Sequence, residues 1–136
     1  MMKHSNLSWT LVLEPPPHAP AYNGFMFTPI LREGASNFKE ELRSAISSKA
    51  KLLQILLIDE DKAGYFNEAE DSVIQIIPVQ DYSIKRMFNR VEVGLLSGSK
   101  STTKVIEVID ERGNSLFVYG YPDKAVVTKD PRYSRK

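Results

Sequence analysis

The stretch DYSIKRMFNRVEVGLL, residues 81 to 96, decides which fold class the sequence predicts. Its apolar residues recur three or four positions apart, as on one face of an α-helix: Ile84, Met87, Phe88, Val91 and Leu95. Asp81 is a suitable N-cap and Gly98 a suitable end. We therefore predict an amphipathic helix from Asp81 onward, with an exposed basic face formed by Lys85, Arg86 and Arg90.

Upstream of this stretch the sequence predicts another amphipathic helix, over residues 37 to 50. Asn37 followed by Glu40 is similar to a capping box, with Asn in place of Ser or Thr. Apolar residues then follow at helical spacing: Phe38, Leu42, Ala45, Ile46 and Ala50.

The remaining apolar segments have the patterns of strands. Residues 7–13 alternate, 52–58 form the apolar run of a buried central strand, and 73–77 are β-branched up to Pro78. Continuation of the first helix is the alternative for 52–58. Residues 103–109 and 116–121 flank a polar turn as in a hairpin, and 125–128 form a short last strand. We predict an α+β fold: a mostly antiparallel sheet of about five to six strands with two amphipathic helices.

Length and composition fit one globular domain. A chain of 136 residues buries a core without disulfides, and the absence of cysteine excludes both disulfides and thiolate metal sites. We place the α+β domain at residues 1–128, with a proline-rich connector at 14–24 and a basic flexible tail at 129–136. The longest apolar run is too short to cross a bilayer. We expect a cytoplasmic protein without a membrane partner.

Residues 59–70, DEDKAGYFNEAE, resemble the calcium loop of the EF-hand family. Asp59, Asp61, Asn67 and Glu70 stand at ligand positions 1, 3, 9 and 12, and the glycine of position 6 is present. Ala63 at position 5 offers no side-chain oxygen, and a β-branched segment follows where the family has a helix. We expect an acidic connector between two strands, with calcium binding as the alternative, and no other metal site.

No motif in the sequence indicates catalysis. The only histidines, His4 and His18, lie in the irregular N-terminal region, and there is no G-x-S-x-G sequence. The stretch 94–101 lacks the glycine that precedes lysine in a phosphate-binding loop. The catalytic residues are therefore unknown and no cofactor is expected. We expect a binding protein rather than an enzyme, with an active site assembled only in space as an alternative.

The uneven distribution of charge and apolar residues favours a protein partner. We predict Phe25 and Phe27 as apolar anchors, and Lys85, Arg86 and Arg90 as charges that steer the partner. An adaptor, an assembly factor or an inhibitor fits this description, and self-association stays open. The alternative partner is nucleic acid, bound by the basic helix and the C-terminal tail.

Overall fold

The computed structural model describes residues 7–14, 30–59, 73–93, 100–121 and 124–133. Within these ranges the chain forms eight strands and one helix. In chain order they are β1 (Leu7–Leu13), β2 (Ile30–Arg32), α1 (Phe38–Ser48), β3 (Leu52–Asp59), β4 (Val73–Pro78), β5 (Ser83–Val93), β6 (Lys100–Ile109), β7 (Ser115–Gly120) and β8 (Ala125–Thr128).

The strands form two antiparallel sheets of four strands each. The first has the order β2-β1-β3-β4, and the second is a meander with the order β5-β6-β7-β8. Antiparallel neighbours need only short turns, which the chain supplies between β6 and β7 with Asp110 and Gly113. Gly113 has a φ of 89°, a conformation that glycine adopts without steric cost.

One apolar cluster joins both sheets and the helix. The first sheet contributes Trp9, Leu11 and Ile55, the second contributes Ile106 and Val118, and α1 adds its own apolar face. The sheets are in close contact at Gly120, where an added Cβ would lie 2.3 Å from Cζ2 of Trp9. The absence of a side chain at Gly120 thus leaves the space that the indole ring occupies next to β7.

Two side chains link the sheets at their margins. The Gln75 amide on β4 donates to the carbonyl oxygen of Ala125 on β8 at 3.1 Å and accepts from its N–H at 2.8 Å. Glu33, just after β2, accepts the backbone N–H of Trp9 at 3.1 Å and forms an ion pair with Lys104 on β6. These contacts satisfy backbone groups that would otherwise lack partners at the sheet margins.

The predicted helix after Asp81 is wrong, and with it the α+β class with two helices. Residues 83–93 form β5 and pair with β6 along their length. Asp81 is not an N-cap, because it has a φ of 77° in the turn before β5. The described residues are mostly β, in two sheets rather than one. Helical spacing of apolar residues occurs here because a bulge at Lys85 shifts the strand alternation by one residue.

Other predicted elements are confirmed. The helix predicted over 37–50 is α1, although the Asn37 side chain makes no capping hydrogen bond. The 52–58 run is a strand between β1 and β4, as its continuous apolar character predicts, and not an extension of the helix. The hairpin around residues 110–115 is β6–β7, and residues 125–128 are β8. The domain boundary and the flexible tail at 129–136 stay predictions.

Candidate functional site

The three predicted steering cations lie on strand β5, on the face of the second sheet that points away from the main core. Their helical placement is therefore wrong. Cross-strand pairing sets Arg86 opposite Glu107 and Arg90 opposite Thr103, while Ile84 joins the core. Side chains an even number of positions apart share one face of a strand, so Arg86 and Arg90 lie together, and the bulge at Lys85 brings its side chain to the same carboxylate as Arg86. We call Lys85, Arg86 and Arg90 the basic face.

A buried carboxylate organises the basic face. Glu107 is only 4% exposed. Its Oε1 accepts from Nε of Arg86 at 2.6 Å, its Oε2 accepts from the Ser115 hydroxyl at 2.7 Å, and Nζ of Lys85 lies 3.6 Å from Oε2. The side chains of Lys85 and Arg86 nevertheless remain 52% and 57% exposed. One buried carboxylate thus holds two cations side by side at the surface.

The partners of Glu107 determine its ionisation. Desolvation of the buried carboxyl group raises its pKa, but the hydrogen bonds from Ser115 and Arg86 and the charges of Lys85 and Arg86 outweigh that effect. The net result is a pKa of Glu107 below the ordinary value for glutamic acid. The carboxylate is therefore ionised at neutral pH, and the cluster of Glu107, Lys85 and Arg86 has a net charge of +1.

Arg90 links the segment after β8, residues 130–133, to the second sheet. Its Nη1 donates to the carbonyl oxygen of Tyr133, and its guanidinium lies 5.8 Å from the ring centroid of Tyr119. The Tyr119 hydroxyl donates to the carbonyl oxygen of Asp130 at 3.1 Å, and the two tyrosine rings lie 5.4 Å apart. These contacts cover a second apolar cluster, on this side of the sheet, which consists of one valine and three aromatic residues: Val105, Phe117, Tyr119 and Tyr121.

The aromatic rings near the basic face are already covered. The Arg86 guanidinium lies 4.4 Å from the centroid of the half-buried Phe88 ring. Phe117 and Tyr119 are 7% and 1% exposed. A nucleic-acid base stacks on an exposed ring face, and these three rings do not offer one.

A cleft of about 520 Å³ adjoins the basic face at Lys85. The described residues around it come from the end of α1, the start of β5 and the β6–β7 turn: Ile46, Lys49, Lys51, Ser83, Ile84, Lys85, Ile109, Asp110, Glu111 and Gly113. Lys51 donates a hydrogen bond to Glu111. A more polar hollow of about 420 Å³ adjoins the cleft and shares Lys51, Asp110 and Glu111 with it.

Several predicted site residues lie outside the described residues. These are the apolar anchors Phe25 and Phe27, and Asp61, Asn67 and Glu70 of the calcium loop. Asp59 is the last residue of β3. Within the described ranges no group of three or more histidine, aspartate or glutamate side chains is placed to hold a metal ion. The described residues contain one helix, α1, which at 11 residues is too short to span a bilayer.

Sequence reasoning missed Glu107 and the residues that surround it. The signal was present in the segment KVIEVI, residues 104 to 109, where one carboxylate interrupts a β-branched apolar run. A carboxylate that is buried on a strand needs a cationic or hydrogen-bonding partner from a neighbouring strand. Strand pairing supplies that partner, and the helix prediction for 81–95 concealed it.

Comparison with known proteins gives no further guide to function. No protein-family model, no curated protein and no solved structure matches this chain significantly. The basic face and the cleft beside it are therefore the features of the chain that bear on its function.

Proposed function

We propose that this chain is a non-enzymatic binding protein that uses the basic face of β5 to bind an acidic surface of another protein. An adaptor, an assembly factor and an inhibitor all act in this way. Phe25 and Phe27 remain the proposed apolar anchors of the same interaction. Self-association through these residues is a further form of the same proposal.

The observation that carries the proposal is the exposure of two cations above one buried carboxylate. Lys85 and Arg86 contact Glu107, yet more than half of each side chain stays accessible. The contact restricts both side chains, so a partner does not have to order them on binding. Exposed charges at the rim of an interface mainly raise the rate of association and fix its orientation.

An acidic protein fits the site better than nucleic acid does. A single-stranded nucleic acid needs exposed ring faces as well as cations, and Phe88 lies beneath Arg86. A carboxylate partner needs only the cations. Arg90 is also less available to a phosphate, because its guanidinium donates a hydrogen bond to the backbone carbonyl oxygen of Tyr133.

Lys85 is the residue to change in a test of this proposal. Charge reversal at Arg86 or Arg90 would disturb the fold, because it would break the contacts of these side chains with Glu107 and Tyr133. Lys85 makes only the longer contact at 3.6 Å, so Lys85→Gln removes a charge and leaves the sheet intact. Lys124→Gln is the matched control, because Lys124 is exposed and outside both the basic face and the cleft.

The experiment is affinity capture from lysate of the native host, with and without nuclease treatment and at low and moderate salt, with the wild-type chain, the two lysine variants and a Phe25→Ala/Phe27→Ala variant. We expect both wild type and Lys124→Gln to retain the same host protein. Its purified form should bind Lys85→Gln about threefold more weakly, with a slower association rate. The double phenylalanine variant should retain still less of it, because interface anchors contribute more affinity than rim charges.

Two results would overturn the proposal. One is equal affinity of the captured protein for wild type and Lys85→Gln. The other is a captured species that disappears on nuclease treatment and whose affinity falls steeply with salt, which is the behaviour of nucleic-acid binding.

A further inference from the structure

The cleft beside β5 combines an apolar floor with a rim of lysines. Three isoleucines from three different elements form the floor: Ile46 of α1, Ile84 of β5 and Ile109 of β6. Ile84 is 3% exposed and belongs to the main core, so the floor is a fixed part of the fold. Its volume of about 520 Å³ is within the usual range for small-molecule sites.

The rim of the cleft has more available positive than negative charge. Lys49, Lys51 and Lys85 face two carboxylates, Asp110 and Glu111. The Asp110 carboxylate is engaged within its own turn, where it accepts the N–H groups of residues 112 and 114 at 2.9 Å each. Within the described residues, Asp110 is therefore a structural part of the turn rather than a counter-ion for the lysines.

The other carboxylate occupies only one lysine. Glu111 pairs with Lys51, and its hydrogen bond and charge raise the pKa of Lys51. The Glu111 side chain is 76% exposed. Because an exposed ion pair contributes little to stability, an anion that enters the cleft can replace Glu111 at Lys51.

Lys49 points to the cleft as a place for a ligand anion. It ends α1 in the left-handed conformation, with a φ of 56°, and its backbone N–H donates to the carbonyl of Ile46. Glycine is the usual residue at such a helix end, so the left-handed backbone conformation does not explain why the residue here is lysine. Lys49 makes no ion pair with any residue that the structure describes.

We propose that this cleft binds an amphipathic organic anion, with an apolar body of up to three rings or a short alkyl chain against the isoleucines and its anionic head group at Lys49 and Lys51. Both parts of the ligand are needed. The apolar body gains from the removal of its surface from water, and the head group gains from two cations at the rim. Lys85 borders both surfaces, but this proposal is tested at Lys49, which lies outside the basic face, so it can fail separately from the partner-binding proposal.

The probe for the experiment is 8-anilinonaphthalene-1-sulfonate, which has apolar rings and one sulfonate group and fluoresces when removed from water. Titration of the full chain should give saturable binding with one site per chain. Octanoate should displace the probe, and 1-octanol, which has the same chain length without the charge, should displace it at least about tenfold less well. The comparison separates a site for amphipathic anions from simple apolar adsorption.

The test variant is Lys49→Asn, and the control is Lys39→Gln. Asparagine accepts the left-handed conformation, so the variant removes the charge without disturbing the end of α1. Lys39 is exposed on the same helix and does not line the cleft. We expect the dissociation constants of the probe and of octanoate to rise about threefold or more in Lys49→Asn and to stay unchanged in Lys39→Gln.

Three results would overturn this inference: absence of saturable probe binding, equal displacement by octanoate and 1-octanol, or unchanged affinity in Lys49→Asn. The melting temperature of each variant checks that the fold is intact. Partner capture by Lys49→Asn should equal that of wild type, so failure of the cleft proposal and failure of the partner proposal are distinguishable.

Discussion

At the scale of single residues, Arg86 has a larger effect on stability than the exposure of its side chain suggests. Arg86→Gln removes a charged hydrogen bond at 2.6 Å from a carboxylate that the fold keeps buried. Because water reaches Arg86 and Ser115 remains bonded to Glu107, we expect a loss of about 1–2 kcal/mol in the free energy of unfolding.

Lys85→Gln provides the control for Arg86→Gln, because Lys85 belongs to the same basic face but contacts Glu107 at a longer distance. Its cost should be below about 0.5 kcal/mol. Urea denaturation of both variants measures the difference. Equal losses for the two variants would contradict the assignment of Arg86 as the main partner of Glu107.

The lowered pKa of Glu107 predicts how stability depends on pH. A carboxyl group whose pKa is lower in the folded state contributes stability above its unfolded pKa, which is about 4.3 for glutamic acid, and loses it as pH falls through the folded pKa. We therefore expect Glu107→Gln to be less stable than wild type at neutral pH. The difference should shrink below about pH 4. A difference in melting temperature that stays constant from pH 7 to pH 3 would contradict this prediction.

Gly120 tests the packing between the two sheets. Ala at position 120 would place Cβ 2.3 Å from the Trp9 ring, so Gly120→Ala should cost at least about 2 kcal/mol. Gly34→Ala is the matched control, because a Cβ there has no neighbour within 4 Å, and its effect should be within about 0.5 kcal/mol. Trp9→Phe should rescue part of the Gly120→Ala loss in a double-mutant cycle, because phenylalanine lacks the clashing atom. If the losses of stability in the two single variants simply add in the double variant, then the Trp9 ring is not the group with which the added Cβ clashes.

At the scale of elements, the Gln75 side chain joins the edges of β4 and β8. Its amide makes two hydrogen bonds to Ala125, much as a paired strand would. Gln75→Leu keeps the size of the side chain but leaves both backbone groups of Ala125 unpaired, so we expect a loss of about 1–2 kcal/mol. Amide hydrogen exchange at Ala125 should become at least about tenfold faster. Gln54→Leu on β3 is the control, and equal exchange at Ala125 in both variants would contradict the role of Gln75.

A strand could be predicted where its sequence pattern fits only one kind of secondary structure. The alternation in β1, the continuous apolar run of β3 and the turn between β6 and β7 each identify a strand from the sequence alone. β5 could not be identified in this way, because the bulge at Lys85 and an apolar residue on each face imitate helical spacing. Pairing with β6 decides the structure of β5, and the pattern of residues within β5 carries no information about that pairing.

The same limit applies to the candidate site. The sequence identifies Lys85, Arg86 and Arg90 as a cationic group, because they are close in sequence. It does not identify Glu107 or Tyr133 as their partners, because these residues lie 21 and 43 positions away from the arginines they contact. The cleft is equally non-local, since its floor joins one helix and two strands.

At the scale of the whole molecule, two surfaces of different chemistry lie next to each other. The basic face is polar and exposed, and the cleft beside it is apolar with a lysine rim, with Lys85 at their common border. Both depend on β5 being a strand. As a helix, residues 83–93 would separate Arg86 from Glu107, and Ser83 would not lie opposite Ile109 at the cleft.

The most direct test is nuclear Overhauser spectroscopy of the full chain across residues 83–93. The account predicts strong sequential contacts between Hα and the following amide proton. It also predicts cross-strand contacts that join Arg86 to Glu107 and Phe88 to Val105. Contacts between Hα of Ile84 and the amide proton of Met87, together with strong contacts between successive amide protons, would identify a helix and contradict the account.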